Sequence, residues 1–426
     1  MEFLHELRFG GDGVKMKAAL CAAATALIVA GCGSPTARQP VSSHRKADKT
    51  TNQNTEVSAP PTQPQGTTVA TAPPPELQKI DMLSQTAGWA LLSDGSVLKT
   101  SDGGAQWTDA TPPVLQGTSP ASVKVRAAFP DAQHAVLFIG TENGGMVSSL
   151  AVYATSDGGA SWTTAAVPLG QRSYVNEFQV QFVNDNVGYV LLHDGVAAGS
   201  EGVTLLRSVN GGSQWTIAAN GTPTAQNPPL IFGGDKSGFG FLNPLKGWIT
   251  GQWAADSILL YATDDGGAHW STPVLPIPSG LNAAGGDAES LPPVFFGPSD
   301  AVMPVEFQAS GGKTVFYLTT DGGATWTPTT SVPTESSPAP WSFANPSAGF
   351  VITNSATLYR TTDGGAQWTA VQPNISLQNT TELDFVSAQT GWAVVNGSLL
   401  ATSNGGQTWT QVPLSIAVHL APTGQN

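Results

Sequence analysis

One eight-residue motif occurs seven times in this chain, and it constrains the fold more than any other feature of the sequence. The motif opens with Thr or Ser, has Asp or Asn followed by two glycines at its centre, and closes with Trp. Successive closing tryptophans stand 55, 53, 55, 56, 42 and 41 residues apart. A motif at such a period indicates a repeat architecture, in which each repeat buries its apolar face only against its neighbours. The copies span residues 100–107, 155–162, 208–215, 263–270, 319–326, 361–368 and 402–409.

The last repeat shows what one unit contains. Residues 383–386 and 392–395 have the composition of short strands, Asn396-Gly397 is a two-residue hairpin turn, and residues 398–402 form a third strand. A fourth strand begins at Trp409, directly after the motif. The same order recurs along the chain, with no helical apolar period. We therefore predict an all-β, seven-bladed β-propeller of four-stranded blades over residues 77–414, with each motif in the turn between the third and fourth strands. An extra strand from Thr67–Ala72, or from Ser415–Leu420 in the tail of residues 415–426, could close the ring.

The motif residues are expected to be structural. Glycine supplies the positive φ that such a turn requires, and the Asp or Asn oxygen accepts backbone N–H groups inside it. Asn at two of the seven positions keeps the acceptor and loses the charge, which favours hydrogen bonding over metal binding or catalysis. The tryptophans are expected to pack between blades. The acceptor positions are Asp102, Asp157, Asn210, Asp265, Asp321, Asp363 and Asn404, and the tryptophans are Trp107, Trp162, Trp215, Trp270, Trp326, Trp368 and Trp409.

These motifs resemble the Asp box of bacterial neuraminidase (BNR) repeats. Together with the Gly-Trp pairs that open several second strands, such as Gly88-Trp89 and Gly391-Trp392, they make residues 77–414 similar to the photosystem II stability and assembly factor family. This resemblance implies a seven-bladed, extracytoplasmic, non-catalytic propeller that binds proteins. That family carries a basic arginine patch for its membrane-protein partners, whereas this chain is poor in arginine and acidic. The Asp box also occurs in sialidases, xyloglucan hydrolases and receptors, so it predicts the fold rather than the function.

The first 76 residues have the pattern of an export and anchoring segment. Residues 18–30 form an apolar run that is too short for a comfortable membrane span and suits a signal peptide. The run ends in Val-Ala-Gly-Cys32, which resembles a bacterial lipobox; an ordinary cleaved signal peptide is the alternative. We predict a signal peptide over residues 1–31 with its true start at Met16, lipidation of Cys32, and a disordered linker rich in Pro, Ser, Thr and Gln over residues 32–76. The protein would then sit on the outer side of the bacterial cytoplasmic membrane.

Composition limits the classes of partner. Charged residues make up 11% of the chain and the net charge is −13, which argues against nucleic acid because phosphate binding needs Lys and Arg. The four histidines after residue 100 show no metal-ligand spacing, and no phosphate-binding loop or nucleophile motif is present. We predict no metal, no cofactor, and a partner that is an unknown protein or glycan, with the membrane reached through the lipid anchor.

Two kinds of glycan hydrolase are the alternatives to a binding scaffold. A sialidase needs three convergent arginines for the substrate carboxylate, yet the propeller has four in all, and Arg207 and Arg360 directly precede motifs. The other two are Arg126 and Arg172. A xyloglucanase-type hydrolase needs two carboxylates across a cleft. The candidate loop acids are Glu142, Glu177, Asp194, Glu201, Asp287, Glu289 and Glu306.

The candidate binding surface is the face opposite the motifs. Loops that join second to third strands, and loops that join successive blades, must lie there, and the early repeats have their extra length in them. Trp253 is the one tryptophan outside the motifs and the expected core strands, so it is either a contact residue or packs on its own blade. The long loops are Thr141–Ser149, Asp194–Gly202, Gly221–Gly234 and Ser279–Pro292, and the candidate contact residues are Trp253, Arg172, Tyr174, Glu142, Asn143 and Asp256.

Overall fold

The computed structural model describes residues 75–116, 122–169, 173–197, 199–221, 230, 233–309, 311–335 and 339–417. Cys32, the signal-peptide segment, Arg172 and nearly all of the predicted linker lie outside these residues. The described part is built almost wholly of β-strands, which form six hydrogen-bonded sheets. Its helical elements are two single 3₁₀ turns, at Pro113–Leu115 and Ala284–Gly286. None of the described helices is long and apolar enough to cross a membrane.

The first three blades are four-stranded antiparallel meanders, with each strand hydrogen-bonded to the next in the chain. Blades 2 and 3 have the longest central strands, which extend into the hairpins that the sequence predicts as long loops. Blade 1 contains β1 (Leu77–Met82), β2 (Gly88–Leu92), β3 (Val97–Thr100) and β4 (Trp107–Asp109); blade 2 contains β5 (Val123–Ala128), β6 (Ala135–Asn143), β7 (Met146–Thr155) and β8 (Thr163–Val167); blade 3 contains β9 (Glu177–Phe182), β10 (Gly188–Ala197), β11 (Ser200–Ser208) and β12 (Thr216–Gly221).

Blades 4 and 5 share one nine-stranded sheet, a departure from seven separate four-stranded blades. The fourth strand of blade 4 is a single bridge between Ala262 and Ser271, and Pro273 follows, which cannot donate the next ladder hydrogen bond. The short strand that opens blade 5 pairs with blade 4 at Gln252 and with the rest of blade 5 through Ala288–Ser290, which joins the two blades. Blade 4 contains β13 (Asp235–Phe241), β14 (Gly247–Gln252) and β15 (Leu259–Thr263); blade 5 contains β16 (Ala288–Ser290), β17 (Val294–Phe296), β18 (Asp300–Phe307), β19 (Lys313–Thr319), β20 (Thr327–Pro328) and β21 (Val332–Pro333).

The last two blades return to the regular four-stranded meander, and a two-residue strand follows them. Blade 6 contains β22 (Trp341–Asn345), β23 (Ala348–Ile352), β24 (Leu358–Thr361) and β25 (Thr369–Val371); blade 7 contains β26 (Thr380–Phe385), β27 (Gly391–Val395), β28 (Ser398–Thr402) and β29 (Thr410–Val412); the final strand is β30 (Ile416–Ala417). Every Asp box lies between the third strand of its blade and the fourth strand or its bridge, as predicted.

The seven boxes share one hydrogen-bond pattern. In the sixth box the Thr361 hydroxyl donates to Asp363 Oδ1 at 2.8 Å, and the same oxygen accepts the Gln367 N–H at 3.0 Å. The N–H of the first box glycine donates to a carbonyl in the turn between the first and second strands of the same blade, as Gly364 does to Ser347. Both glycines have positive φ in every box, 70° and 82° at Gly364 and Gly365. The boxes and the first turns therefore form one face, called here the box face, and the remaining loops form the opposite face.

The apolar core is divided into seven clusters, one in each seam between neighbouring blades. Each box tryptophan packs into the seam with the preceding blade; Trp409 of blade 7, for example, lies with Phe350 and Leu358 of blade 6. Trp107 and Trp409 are almost fully buried, whereas Trp162, Trp270 and Trp368 keep part of their surface exposed. Trp89, Trp248 and Trp392 are second-strand core residues, as expected.

Polar side chains also join the innermost strands of successive blades. Gln181 of blade 3 exchanges two hydrogen bonds with the backbone of Phe241 in blade 4. Ser342 of blade 6 accepts the Phe385 N–H of blade 7 at 2.9 Å. Asp384 of blade 7 accepts the Met82 N–H of blade 1 at 2.6 Å, so the same device closes the ring.

Two further contacts close the ring between blades 7 and 1. The Trp392 indole N–H donates to the Gly103 carbonyl at 3.1 Å. Strand β30 adds in parallel to β4, the outermost strand of blade 1, and the Trp107 N–H donates to the Ser415 carbonyl at 2.8 Å. The predicted tail segment thus supplies the extra strand at the outer edge; Thr67–Ala72 lies outside the described residues.

Candidate functional site

A cleft of about 190 Å³ opens on the opposite face between the inner strands of blades 1 and 2. The first residues of β5 and the turn between β2 and β3 form its walls, and Glu142 at the end of β6 also lines it. Its wall carries both basic and acidic side chains together with backbone of the inner strands. The lining residues are Gln78, Ser93, Gly95, Val123, Lys124, Val125, Arg126 and Glu142.

Ion pairs fix the charged groups of this cleft. Glu177, at the start of the inner strand of blade 3, accepts hydrogen bonds from Lys124 Nζ at 2.9 Å and from Arg126 Nη2 at 3.1 Å. Glu142 Oε1 lies 3.7 Å from the same Lys124 nitrogen. These four side chains keep between 14% and 22% of their surface exposed. They are thus held in place and still accessible to a ligand, which is what a preorganised recognition site requires.

The candidate contact residues divide into two groups. Glu142 and Asn143 end β6, and Tyr174 precedes Val175, whose backbone exchanges hydrogen bonds with Val147 of the β6–β7 hairpin. Glu142 lines the cleft, and the exposed Asn143 and Tyr174 lie on and beside the hairpin that carries Glu142. Trp253 and Asp256 lie apart from them, in the β14–β15 loop of blade 4.

Trp253 packs on its own blade. Its indole N–H donates to the Ser257 carbonyl at 2.8 Å, and its ring lies edge-on to Tyr261 with centroids 6.5 Å apart. The residue is partly buried against the core of the seam between blades 3 and 4. This arrangement matches the second of the two alternatives that the sequence leaves open. Asp256 is exposed in the same loop.

The arginines do not assemble a sialidase-type site in the described residues. Arg207 donates to Tyr189 Oη and to the Pro244 carbonyl, both on the box side of the molecule. Arg360 lies against Gly405 of the next box. Arg126 is the one described arginine at the cleft, and it pairs with Glu177.

A second polar cluster lies on the opposite face where blades 3, 4 and 5 meet. Gln252 pairs in register with both Asp235 and Glu289, and Glu289 pairs with Glu306 of β18. Burial raises the pKa of Glu289, and the nearby Asp235 carboxylate raises it further. Burial and then Glu201 likewise raise the pKa of Asp235, against the opposing effect of Lys236. Carboxyl groups with raised pKa values are the kind that can donate protons.

Hydrogen bonds fix the positions of His193, Glu201 and Lys236 beside this cluster. His193 Nδ1 lies 3.0 Å from Glu201 Oε1, and Glu201 Oε2 accepts the Lys236 N–H at 2.9 Å. Lys236 Nζ donates to three carbonyls, of Glu201, Gly233 and Gly234, and its burial lowers its pKa to about 8. Asp287 and Glu306 are buried; Asp287 accepts the Ala309 N–H, and Glu306 accepts a hydrogen bond from the Gln308 amide. In the described residues, no group of three or more His, Cys, Asp or Glu side chains is placed to hold a metal ion.

Sequence reasoning missed the association of Lys124, Arg126 and Glu177. The sequence marks Glu177 only as a candidate hydrolase acid and does not single out Lys124. The two basic residues stand about fifty positions before Glu177, and no motif links them. The one usable clue is topological, since the first residues of successive inner strands meet at the same end of a propeller.

Comparisons with known proteins agree with the fold. The family model for Photosynthesis system II assembly factor YCF48 matches residues 323–424, about a quarter of the chain. The solved structure of YCF48 from Cyanidioschyzon merolae is 15% identical over 77% of this chain and 95% of its own, with a TM-score of 0.50. A structure of YCF48 bound to D1 peptide is 14% identical over 78% of this chain and 92% of its own, with a TM-score of 0.48.

Glycan-degrading propellers are also among the structural matches. The GH74 xyloglucanase from Xanthomonas campestris is 15% identical over 79% of this chain and 54% of its own, with a TM-score of 0.48. No curated protein sequence matches the chain. The chain is thus a BNR-type β-propeller that resembles the photosystem II assembly factor YCF48, both in the sequence of its last blades and in its fold.

Proposed function

We propose that this protein is an extracytoplasmic, lipid-anchored propeller that binds a polypeptide partner and catalyses no reaction. The observation that carries the proposal is the cleft between blades 1 and 2. It contains the paired, partly exposed side chains of Lys124, Arg126, Glu142 and Glu177, and the exposed Tyr174 lies beside the β6–β7 hairpin that carries Glu142. Binding residues usually sit on loops held by a rigid scaffold, and arginine and aromatic side chains are enriched at protein interfaces.

The family resemblance supports the same class of function. A YCF48 protein is known in a complex with a D1 peptide, and its family is described as an assembly factor. We carry over only the class, a polypeptide ligand for a propeller, and leave the identity of the polypeptide open. A glycan remains the other ligand class to be tested.

The cleft is tested by removing its charges one at a time. Full-length protein is recovered from membranes of producing cells, and the proteins that copurify are quantified by mass spectrometry. Lys124→Gln and Arg126→Gln should each deplete the same copurifying protein. Lys246→Gln is the matched control, because Lys246 is similarly exposed and pairs with Asp264 on the box face. If all three variants, with unchanged circular dichroism, recover the same proteins as the unmodified chain, the cleft is not the binding site.

The anchor is tested at Cys32. Processed lipoproteins carry two or more acyl chains, enough for stable membrane attachment. Cys32→Ala should therefore release the protein from membranes or leave it at precursor size. If Cys32→Ala protein fractionates with membranes at its mature size, the lipid anchor is refuted.

Glycan hydrolysis is the second candidate, favoured by the raised pKa values of Asp235 and Glu289. We expect no product when the purified protein is incubated with xyloglucan and other soluble polysaccharides and reducing ends are measured. Release of reducing ends that Glu289→Gln abolishes, with the fold intact, would overturn the non-catalytic proposal.

A further inference from the structure

Asn-Gly pairs occur at five places in the propeller, and the structure holds them to different degrees. In such a pair the backbone nitrogen of glycine can attack the side-chain carbonyl carbon of asparagine, because glycine has no Cβ to hinder the approach. The attack requires a carboxamide that is free to rotate and a glycine N–H that is not hydrogen-bonded. The five pairs begin at Asn143, Asn210, Asn220, Asn396 and Asn404.

The two pairs inside Asp boxes are held at both reacting groups. Asn210 Oδ1 accepts the Ser208 hydroxyl at 3.0 Å and the Gln214 N–H at 2.9 Å. The Gly211 N–H donates to the Asn186 carbonyl at 2.9 Å. The seventh box repeats these bonds around its own asparagine and first glycine. Both box pairs are therefore protected from attack.

The pairs at Asn220 and Asn396 are held by other contacts. Asn220 lies within β12, in register with Thr204 of β11, and its Oδ1 is buried. Asn396 is exposed in the β27–β28 turn, yet its Oδ1 accepts a hydrogen bond from Asn379 Nδ2 at 2.9 Å. Exposure alone therefore does not leave an asparagine side chain free.

The pair Asn143-Gly144 is held at neither reacting group. Asn143 ends β6, and Gly144 begins the turn of the β6–β7 hairpin with a φ of 62°. Both residues are exposed, and a Cβ placed on Gly144 would have no heavy atom within 4 Å. Among the residues that the structure describes, neither the Asn143 carboxamide nor the Gly144 N–H has a hydrogen-bond partner.

We propose that Asn143 is a site of spontaneous deamidation. The Gly144 nitrogen gives its proton to water and forms a bond to Asn143 Cγ, and the carboxamide nitrogen leaves as ammonia, which yields a five-membered succinimide. Water then opens the succinimide at either carbonyl and leaves aspartate or isoaspartate at position 143. One water is consumed and one ammonia is released for each residue converted, and no further reactant is needed.

The reaction changes the charge beside the cleft. Lys124 and Arg126 balance Glu142 and Glu177, so these four side chains have no net charge. The carboxylate formed at position 143 directly follows Glu142 and makes the group net negative. The isoaspartate product also lengthens the backbone of the hairpin turn by one methylene. The proposal concerns the chemistry of the hairpin and does not depend on the identity of a partner.

The site is tested by ageing purified full-length protein in mildly alkaline buffer and following each Asn-Gly pair by peptide mass spectrometry. Asn143 should convert more than about tenfold faster than Asn210 or Asn404, because at least two hydrogen bonds must open first in a box and each resists opening by a factor of about five. In urea the five rates should converge, since no pair is then protected. Conversion of Asn143 in the folded protein no faster than that of the box asparagines would overturn the proposal.

Two variants serve as matched controls. Asn143→Gln keeps an amide but would have to form a six-membered ring, so the acidic form seen on isoelectric focusing of the aged protein should be lost. Asn379→Gly removes the partner of the Asn396 carboxamide and should speed conversion of Asn396 by about fivefold. If the acidic form accumulates unchanged in Asn143→Gln, or if Asn396 converts at the same rate without its partner, the assignment of Asn143 as the reactive pair is refuted.

Discussion

Box aspartates act as acceptors of hydrogen bonds, and two natural Asn boxes show that the charge is dispensable. Asn404 Oδ1 accepts the Thr402 hydroxyl at 3.1 Å and the Thr408 N–H at 2.9 Å, the same bonds that Asp363 makes in its own box. Where a hydroxyl follows, the Asn amide donates to it, as Asn404 Nδ2 does to Thr408, whereas Asp321 accepts from Thr325. A hydroxyl group can serve either way.

Asp363→Asn should therefore leave the melting temperature close to that of the unmodified protein, and Asp363→Ala should lower it. The alanine variant leaves the Gln367 N–H and the Thr361 hydroxyl without their acceptor, while the asparagine variant keeps both bonds. Differential scanning calorimetry of the two variants measures the difference. Equal losses would show that the charge itself stabilises the turn.

The exposure of each box tryptophan sets the cost of removing it. Trp409 is 2% exposed and stacks edge-on against Phe385, whereas Trp368 is partly exposed in its seam. Trp409→Ala should lower the free energy of unfolding by about 3–5 kcal/mol, and Trp368→Ala by less. Urea denaturation compares them, and a larger loss from Trp368→Ala would contradict this account of the seams.

The box carboxylates also make the stability of the propeller depend on pH in the acid range. Hydrogen bonds from His269 and Thr325 lower the pKa values of Asp265 and Asp321 to about 2, from 3.8. A group whose pKa is lower in the folded state stabilises the fold above its unfolded pKa, and that contribution is lost as the pH falls through its folded pKa. Asp235 and Glu289, with raised pKa values, act in the opposite sense.

The double variant Asp265→Asn, Asp321→Asn should therefore lose less melting temperature than the unmodified protein between about pH 4 and pH 2. The comparison is a pair of thermal melts at the two pH values. An identical fall in the melting temperature of both proteins would show that these two carboxylates do not contribute to the loss of stability in acid.

At the scale of the element, the strand β30 attaches the segment after blade 7 to the outer strand of blade 1. It covers the outer edge of β4, which is otherwise open, and it contributes the Trp107 to Ser415 hydrogen bond. A net contribution of about 1 kcal/mol for each intramolecular hydrogen bond makes this a modest stabilisation.

A chain that ends at Pro413 should lose about 1–3 kcal/mol of unfolding free energy relative to the full chain. A chain that ends at Ala417 is the matched control and should keep the full value, because β30 is intact. Urea denaturation of both measures this. If the two shortened chains are equally stable, β30 does not hold the ring.

At the scale of the whole molecule, the repeat motif was sufficient to predict seven blades, the position of every box and the packing of the tryptophans between blades. Each of these depends on local sequence, such as the paired glycines with positive φ. The joined sheet of blades 4 and 5 was not predicted, because it arises from Pro273 ending one strand and Glu289 pairing across blades. The cleft was not predicted either, since Lys124, Arg126 and Glu177 meet only when the inner strands converge.

The partner is proposed to bind the face opposite the boxes, at the cleft between blades 1 and 2. With the copurifying partner bound, amide hydrogen exchange should slow in residues 123–149 and 173–197, which form the inner strands and hairpins around the cleft. The seven box turns, on the other face, should exchange at the same rate with and without partner. Slower exchange in the box turns, with the cleft hairpins unchanged, would contradict the assignment of the binding face.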